Sequence, residues 1–178
     1  MKTAAASTSV ADGRQAARQL AAEIQQGLGL EPQAIMVFAA PSYDHAALLD
    51  QLAAECPNAL VAGASSAGEF MNQERGEGLA CALGLAGDDV RFAVGVARHI
   101  SEDPGAAARQ IVSSFTGVSD YTVPYRSALV MARPLPGHAD PPAYAPTLAT
   151  RGRSPICGGG AGDVIARIPT ESAKTRDI

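Results

Sequence analysis

The sequence predicts an α/β fold, a mixed β-sheet with packed helices that begins with a βαβ unit followed by a β-hairpin. Three observations predict it. The apolar runs Ala34–Ala39 and Leu60–Ala62 are short, bounded by turn residues and separated by a helical pattern, as parallel strands joined by a crossover are. An Ala-rich segment with a capping signal precedes them. Beyond them, Leu79–Leu85 and Val90–Val96 flank Gly87-Asp88-Asp89, whose turn chemistry suits a hairpin and would make the sheet mixed.

The elements follow in chain order. Met1-Lys2 and the small residues to Ala11 read as a first strand or loose arm, because the Leu-rich stretch of a signal peptide is missing. Asp12 with Gln15 three residues on is a capping box, and Ala16, Ala17, Leu20, Ala21 and Ile24 then recur at helical spacing until Gly27 and Gly29. After Pro32, the continuous apolar run Ala34–Ala39 predicts a strand covered on both faces. Ser42 is placed to cap a second helix with Asp44 in its first turn, and Leu48, Leu49, Leu52 and Ala53 supply its buried face before Pro57. Leu60–Ala62 is the second strand of the pair.

Asp103-Pro104 opens a third helix to about Phe115, and Ser127–Ala132 is a further strand. From Pro134 the chain changes character, since seven of its 12 prolines lie from there on. No ordinary helix survives that spacing. Residues 1–133 are therefore expected to form the core. Residues 134–178 are expected to be a proline-rich irregular segment, a glycine-rich turn and a polar tail of the same domain. No internal repeat is evident.

Composition limits the function. The 178 residues are 47% hydrophobic and 18% charged, with 4 Phe, 4 Tyr and no Trp, so the core is built from small aliphatic side chains. Base or sugar stacking on rings loses support. With 14 Lys+Arg against 18 Asp+Glu the net charge is −4, and no basic stripe matches a row of phosphates, which excludes nucleic acid as the expected partner. No apolar run reaches the ~18–20 residues of a membrane span, and the expected location is the cytoplasm. Cys56, Cys81 and Cys157 are odd in number and widely spaced, which suits buried reduced thiols better than a disulfide framework or a zinc site.

Two stretches carry candidate chemistry. Gly63-Ala64-Ser65-Ser66-Ala67-Gly68-Glu69 directly follows a buried strand, where small residues let a ligand approach the backbone and hydroxyl and N–H groups can hold it. Glu69 stands out because it lies in this loop; its alternative role is to cap loop N–H groups. The serine-hydrolase pattern G-x-S-x-G is missed twice, because Ala67 stands where the last glycine belongs for Ser65 and Ala64 where the first belongs for Ser66. The second stretch is Gly158–Asp163, read as an exposed glycine-rich turn ending in a carboxylate. It matches neither dinucleotide nor P-loop fingerprints, and close packing against a sheet explains its glycines as well as ligand contact does. His45, His99 and His138 are scattered without metal-ligand spacing, and His45 at the start of a helix suits a helix-end hydrogen bond.

Together these residues resemble a known family. Ser7…Asp12, Met36-Val37-Phe38-Ala39-Ala40…Tyr43-Asp44, Gly63-x-Ser65-Ser66-x-Gly68-Glu69 and Ile156-Cys157-Gly158-Gly159-Gly160-Ala161-Gly162-Asp163 are similar, in order, to the N-terminal part of the FIST family. The resemblance implies a non-enzymatic sensory domain of bacterial signal transduction that binds amino acids or similar small polar molecules and works beside histidine-kinase or cyclase-type partners. On it, Ser65, Ser66, Gly68, Glu69, Gly159, Gly160 and Asp163 are the expected ligand-binding residues, with no catalytic residue, metal or obligatory cofactor. The alternative it implies is a haem-binding, nitric-oxide-responsive sensor; a serine hydrolase is a further rival. The chain departs from the family in its proline-rich stretch 135–154 and in lacking a C-terminal FIST domain, as a truncated or frameshifted product would.

Overall fold

The computed structural model describes residues 1–66, 69–71, 74–98, 102–114, 125–132, 155–160 and 164–167. They fall into two units, one comprising residues 1–92 with the strand 164–167, the other residues 93–162.

In the first unit, β1 (Lys2–Thr8), α1 (Gly13–Leu28), β2 (Ala34–Ala39), α2 (His45–Glu55) and β3 (Leu60–Ser65) follow one another. The short strands β4 (Glu69–Met71) and β5 (Glu74–Gly76), then β6 (Ala80–Ala86), complete the sequence up to residue 92. Late in the chain, β9 (Val164–Arg167) returns to the same sheet, whose order is β1-β6-β2-β3-β9. β2 and β3 are parallel, whereas β6 runs antiparallel to both β1 and β2 and β9 antiparallel to β3. The sheet is mixed, as the sequence predicts, and opens with strand, helix, strand.

Local chemistry explains the helices. Asp12 Oδ1 accepts the Gln15 N–H at 2.8 Å, satisfying one of the orphan donors of the first turn. At the other end Gly29 adopts φ 69°, a left-handed conformation that glycine reaches without Cβ strain, and its N–H bonds the Gln25 carbonyl. The helix therefore runs through Gly27 and stops at Gly29. In α2 the cap is Asp44, whose Oδ1 accepts the Ala47 N–H at 3.0 Å, so Ser42 does not have the predicted role. Asp44 wins because it directly precedes the first helical residue, within reach of the third N–H.

The core lies on one face of the sheet. Ala6, Ala82, Val37 and Gly63 form one transverse row, and Ala4, Gly84, Ile35 and Val61 another. Against this face pack the buried Ala16, Ala17, Leu20 and Ile24 of α1 and Leu48 and Leu52 of α2. The small residues are what permit that approach: a Cβ at Gly84 would collide with the side chain of Ile24. Met36 and Phe38, which point to the other face, are only partly buried, so β2 is not enclosed on both faces as expected. The physical reason is that α1 and α2 belong to the same core cluster on a single face.

Two further expectations change. The strand predicted to end at Ala62 continues to Ser65, because its parallel pairing with β2 runs on through Val37↔Gly63, Phe38↔Ala64 and Ala39↔Ser65. A hairpin does follow the βαβ unit, but it is β4–β5, not 79–85 with 90–96. Residues 90–98 form no strand. Both edges of β6 are already taken, by β1 on one side and β2 on the other, which leaves no ladder for a hairpin partner.

The second unit contains α3 (Pro104–Ser114), β7 (Ala128–Ala132) and β8 (Ile156–Gly160), the last two paired in parallel. Asp103 Oδ1 caps α3 through the Ala106 N–H at 2.8 Å, as the sequence predicts. The glycine run read as a turn is strand as far as Gly160, because it pairs in parallel with β7, and glycine suits Gly158 because a Cβ there would enter the Val130 carbonyl. No helix among the described residues is long and apolar enough to cross a membrane.

Candidate functional site

The carboxyl ends of β1, β2 and β3 lie at one edge of the sheet. Thr8, Ala80, Ala39 and Ser65 form the last common row, read across β1, β6, β2 and β3. Open α/β sheets place ligands outside the carboxyl ends of their parallel strands, where loops leave the sheet and helix N-termini begin. Here both α1 and α2 start at that edge. Gly13 sits so near α2 that an added Cβ would come within 2.9 Å of the Asp44 carbonyl oxygen.

Thr8 and Ser65 are the buried polar side chains in the described part of the row, at 5% and 7% exposure. Burying a hydroxyl is tolerated when it is hydrogen-bonded. Thr8 meets this condition twice: its Oγ1 donates to Gln19 Oε1 at 2.8 Å and accepts the Val10 N–H at 3.1 Å. Tyr43, also buried, donates its hydroxyl to the Thr8 carbonyl at 3.4 Å. The loop between β2 and α2 is thereby tied to the end of β1. The Ala40 carbonyl accepts from Tyr43 N at 3.1 Å and lies 3.1 Å from His45 Nε2, the helix-end bond that the sequence suggests for His45.

The seven expected ligand residues are distributed as follows. Ser65 closes β3, and Ser66 extends the parallel ladder one step by donating its N–H to the Ala39 carbonyl at 3.0 Å. Glu69 begins β4. Gly159 and Gly160 close β8 in the second unit. Gly68 and Asp163 lie outside the described residues, as do His99 and His138. The structure thus brings Ser65 and Ser66 together at the carboxyl edge of β3, with Thr8 and Tyr43 added to that edge. Sequence reasoning missed Thr8; the available signal was a hydroxyl at the end of a small-residue strand, the same pattern that marks Ser65.

The arrangement suits holding a polar group more than attacking one. Ser65 lies within a strand and the next element is the strand β4, whereas a nucleophile elbow turns from strand into helix. Asp12 and Asp44, which precede α1 and α2 at this edge, are each engaged in capping a helix. Farther from the edge, burial pushes the Cys56 thiol above its ordinary value of 9.0, with Glu31 and Glu55 adding to the rise and a hydrogen bond from Gln25 opposing it. Cys56 is therefore a neutral core side chain. No cluster of three or more His, Cys, Asp or Glu side chains suited to a metal ion is found among the described residues.

A family model for the FIST N domain matches residues 33–172. No curated protein and no solved structure matches the chain.

Proposed function

Because the chain belongs to the FIST family, a family of sensory domains in signal transduction, we propose that it binds a small polar ligand, of the amino-acid class, at the carboxyl edge of β3. Ser65, Ser66, Gly68 and Glu69 are the residues assigned to the ligand. Gly159, Gly160 and Asp163 are assigned a like role at the end of β8. The observation that supports the reading is the buried Ser65 at the last row of the parallel β2–β3 pair, followed by Ser66, whose N–H is held by the Ala39 carbonyl. A strand end at this point presents hydroxyls and peptide groups beside small side chains.

Sensing requires no chemical step. A ligand that contacts one arrangement of the Ser66–Glu69 segment better than another shifts the population toward it, by no more than its difference in affinity. A signalling partner of the kinase or cyclase class then reads the shifted arrangement. The test is a thermal-shift screen of the proteinogenic amino acids, with and without haem. A specific ligand raises Tm in a concentration-dependent way, since binding to the native state alone stabilises it by mass action. A cooperative melt unmoved by every amino acid refutes the reading, and a shift by haem alone transfers it to the haem-sensor alternative.

A further inference from the structure

The bond that anchors the start of the ligand segment ends on a peptide group outside it. Ser66 donates its N–H to the Ala39 carbonyl at 3.0 Å, and the N–H of that same peptide group, on Ala40, donates to the Leu79 carbonyl at 3.0 Å. A peptide group is planar, so one plane carries both bonds and its rotation weakens both together. The next plane, from Ala40 to Pro41, meets it at the Ala40 Cα. Pro41 biases Ala40 toward extended backbone, so fixing the second plane fixes the first.

The second plane is held from two residues. Ala40-Pro41-Ser42-Tyr43 is a β-turn closed by the Tyr43 N–H on the Ala40 carbonyl at 3.1 Å, with proline at the second position, which such turns favour. The His45 ring returns to the same carbonyl, with Nε2 at 3.1 Å; a carbonyl only accepts, so that nitrogen carries the proton. The buried Tyr43 then anchors the turn to β1, its hydroxyl donating to the Thr8 carbonyl at 3.4 Å. Between the two, Asp44 caps α2 and so fixes where both side chains leave the backbone. A tight turn needs only the first of these bonds and a helix start only the cap. The ring of His45 and the hydroxyl of Tyr43 add a restraint on Ala40 that neither local structure requires.

We propose that Tyr43 and His45 are positioning residues of the ligand site, a role that rests on Ser66 opening the segment that binds the ligand. By holding the Ala40 carbonyl they set the orientation in which the Ala39 carbonyl receives the Ser66 N–H, and so keep that segment in its binding arrangement before the ligand arrives. Binding to this arrangement tightens the bond from Ser66 to Ala39. By linkage the same free energy tightens the hold of Tyr43 and His45, and loosening either residue lowers affinity by the fraction of chains that leave the arrangement. The end of β1 and the start of α2, both tied to Ala40, register the change.

The test uses the full chain, with amide hydrogen exchange followed by NMR in Tyr43→Phe and His45→Ala. Each variant should melt cooperatively and exchange the Ser66 amide about fivefold faster, the factor that one net hydrogen bond gives, while amides at the centre of β6 keep their rates. His45→Gln, which returns an N–H donor to the place of the ring nitrogen, should restore the Ser66 rate, as it would not if lost ring volume were the cause. Tyr43→Phe and His45→Ala should also shrink the Tm increase that a mixture of the proteinogenic amino acids gives the unaltered chain. An unchanged Ser66 rate in both variants overturns the proposal. So does an equal rise at Ser66 and at β6, which marks general loosening, and so does a Ser66 rate in His45→Gln as fast as in His45→Ala. An unaltered chain whose Tm the mixture does not move refutes the ligand reading alone, because the exchange rates are read without ligand.

Discussion

Thr8 and Ser65 end the same transverse row of the sheet, separated only by Ala80 and Ala39, so two buried hydroxyls bracket the carboxyl edge about 14 Å apart at ordinary strand spacing. Between them the row offers no side chain larger than a methyl group. That edge is therefore shaped by backbone and hydroxyls, and its behaviour on mutation should depend on hydrogen bonds more than on volume.

Thr8→Val keeps shape and removes the hydroxyl that bridges Gln19 and Val10. It should cost about 1–3 kcal/mol in urea unfolding, because the Val10 N–H and Gln19 Oε1 lose a partner together. Thr8→Ser, which retains the hydroxyl, should cost clearly less. Equal losses would show that the methyl group carries the effect.

Two glycine substitutions should separate close approach from backbone conformation. Gly63→Ala drives a Cβ into the Val37 carbonyl and should cost about 3 kcal/mol, the upper range for overpacking. Gly29→Ala meets nothing within 4 Å but must hold φ 69°, and should cost about 1 kcal/mol. Chemical denaturation of the two variants checks the order.

Removing either helix cap should show how much local chemistry contributes. Asp12→Ala and Asp44→Ala should each lower stability by about 1 kcal/mol, with Asp→Ser at the same positions retaining most of it. In the double variant the losses should fall short of the sum if the two helix starts, which meet at Gly13 and the Asp44 carbonyl, depend on each other.

Cys56 should make the fold sensitive to alkali. Its folded pKa is raised, so the native state holds the thiol proton more tightly than the unfolded chain does. The contribution is complete below the ordinary thiol value of 9.0 and is lost as pH climbs from there through the raised value. Stability measured from pH 8 upward should fall less steeply in Cys56→Ala. At pH 8 the exposed Cys157 should react with a thiol reagent rapidly, and the buried Cys56 only on unfolding.

At the proposed site, Glu69→Gln should abolish the Tm increase given by the amino acid that the screen identifies, with the unliganded melt still cooperative. A full response in that variant would remove Glu69 from the ligand contacts.

Much of the fold was legible because it rests on neighbours in sequence. The capping of α1 by Asp12 and of α3 by Asp103, the stop at Gly29, and the apolar run of β2 follow from side chains meeting backbone groups within a few residues. The pairing of β2 with β3 was also legible, since a helix of that length between two short apolar runs returns the chain in parallel. What remained hidden depends on hydrogen bonds between distant segments. Residues 90–96 have a strand's composition but cannot pair with β6, which already lies between β1 and β2. Gly63 and Gly158 look like loop glycines, yet each is strand by parallel pairing with a valine whose carbonyl leaves no space for a Cβ. Ser65 likewise ends a strand and does not begin a loop: residue type marked it as a ligand candidate, and the register with Ala39 set it at the sheet's edge.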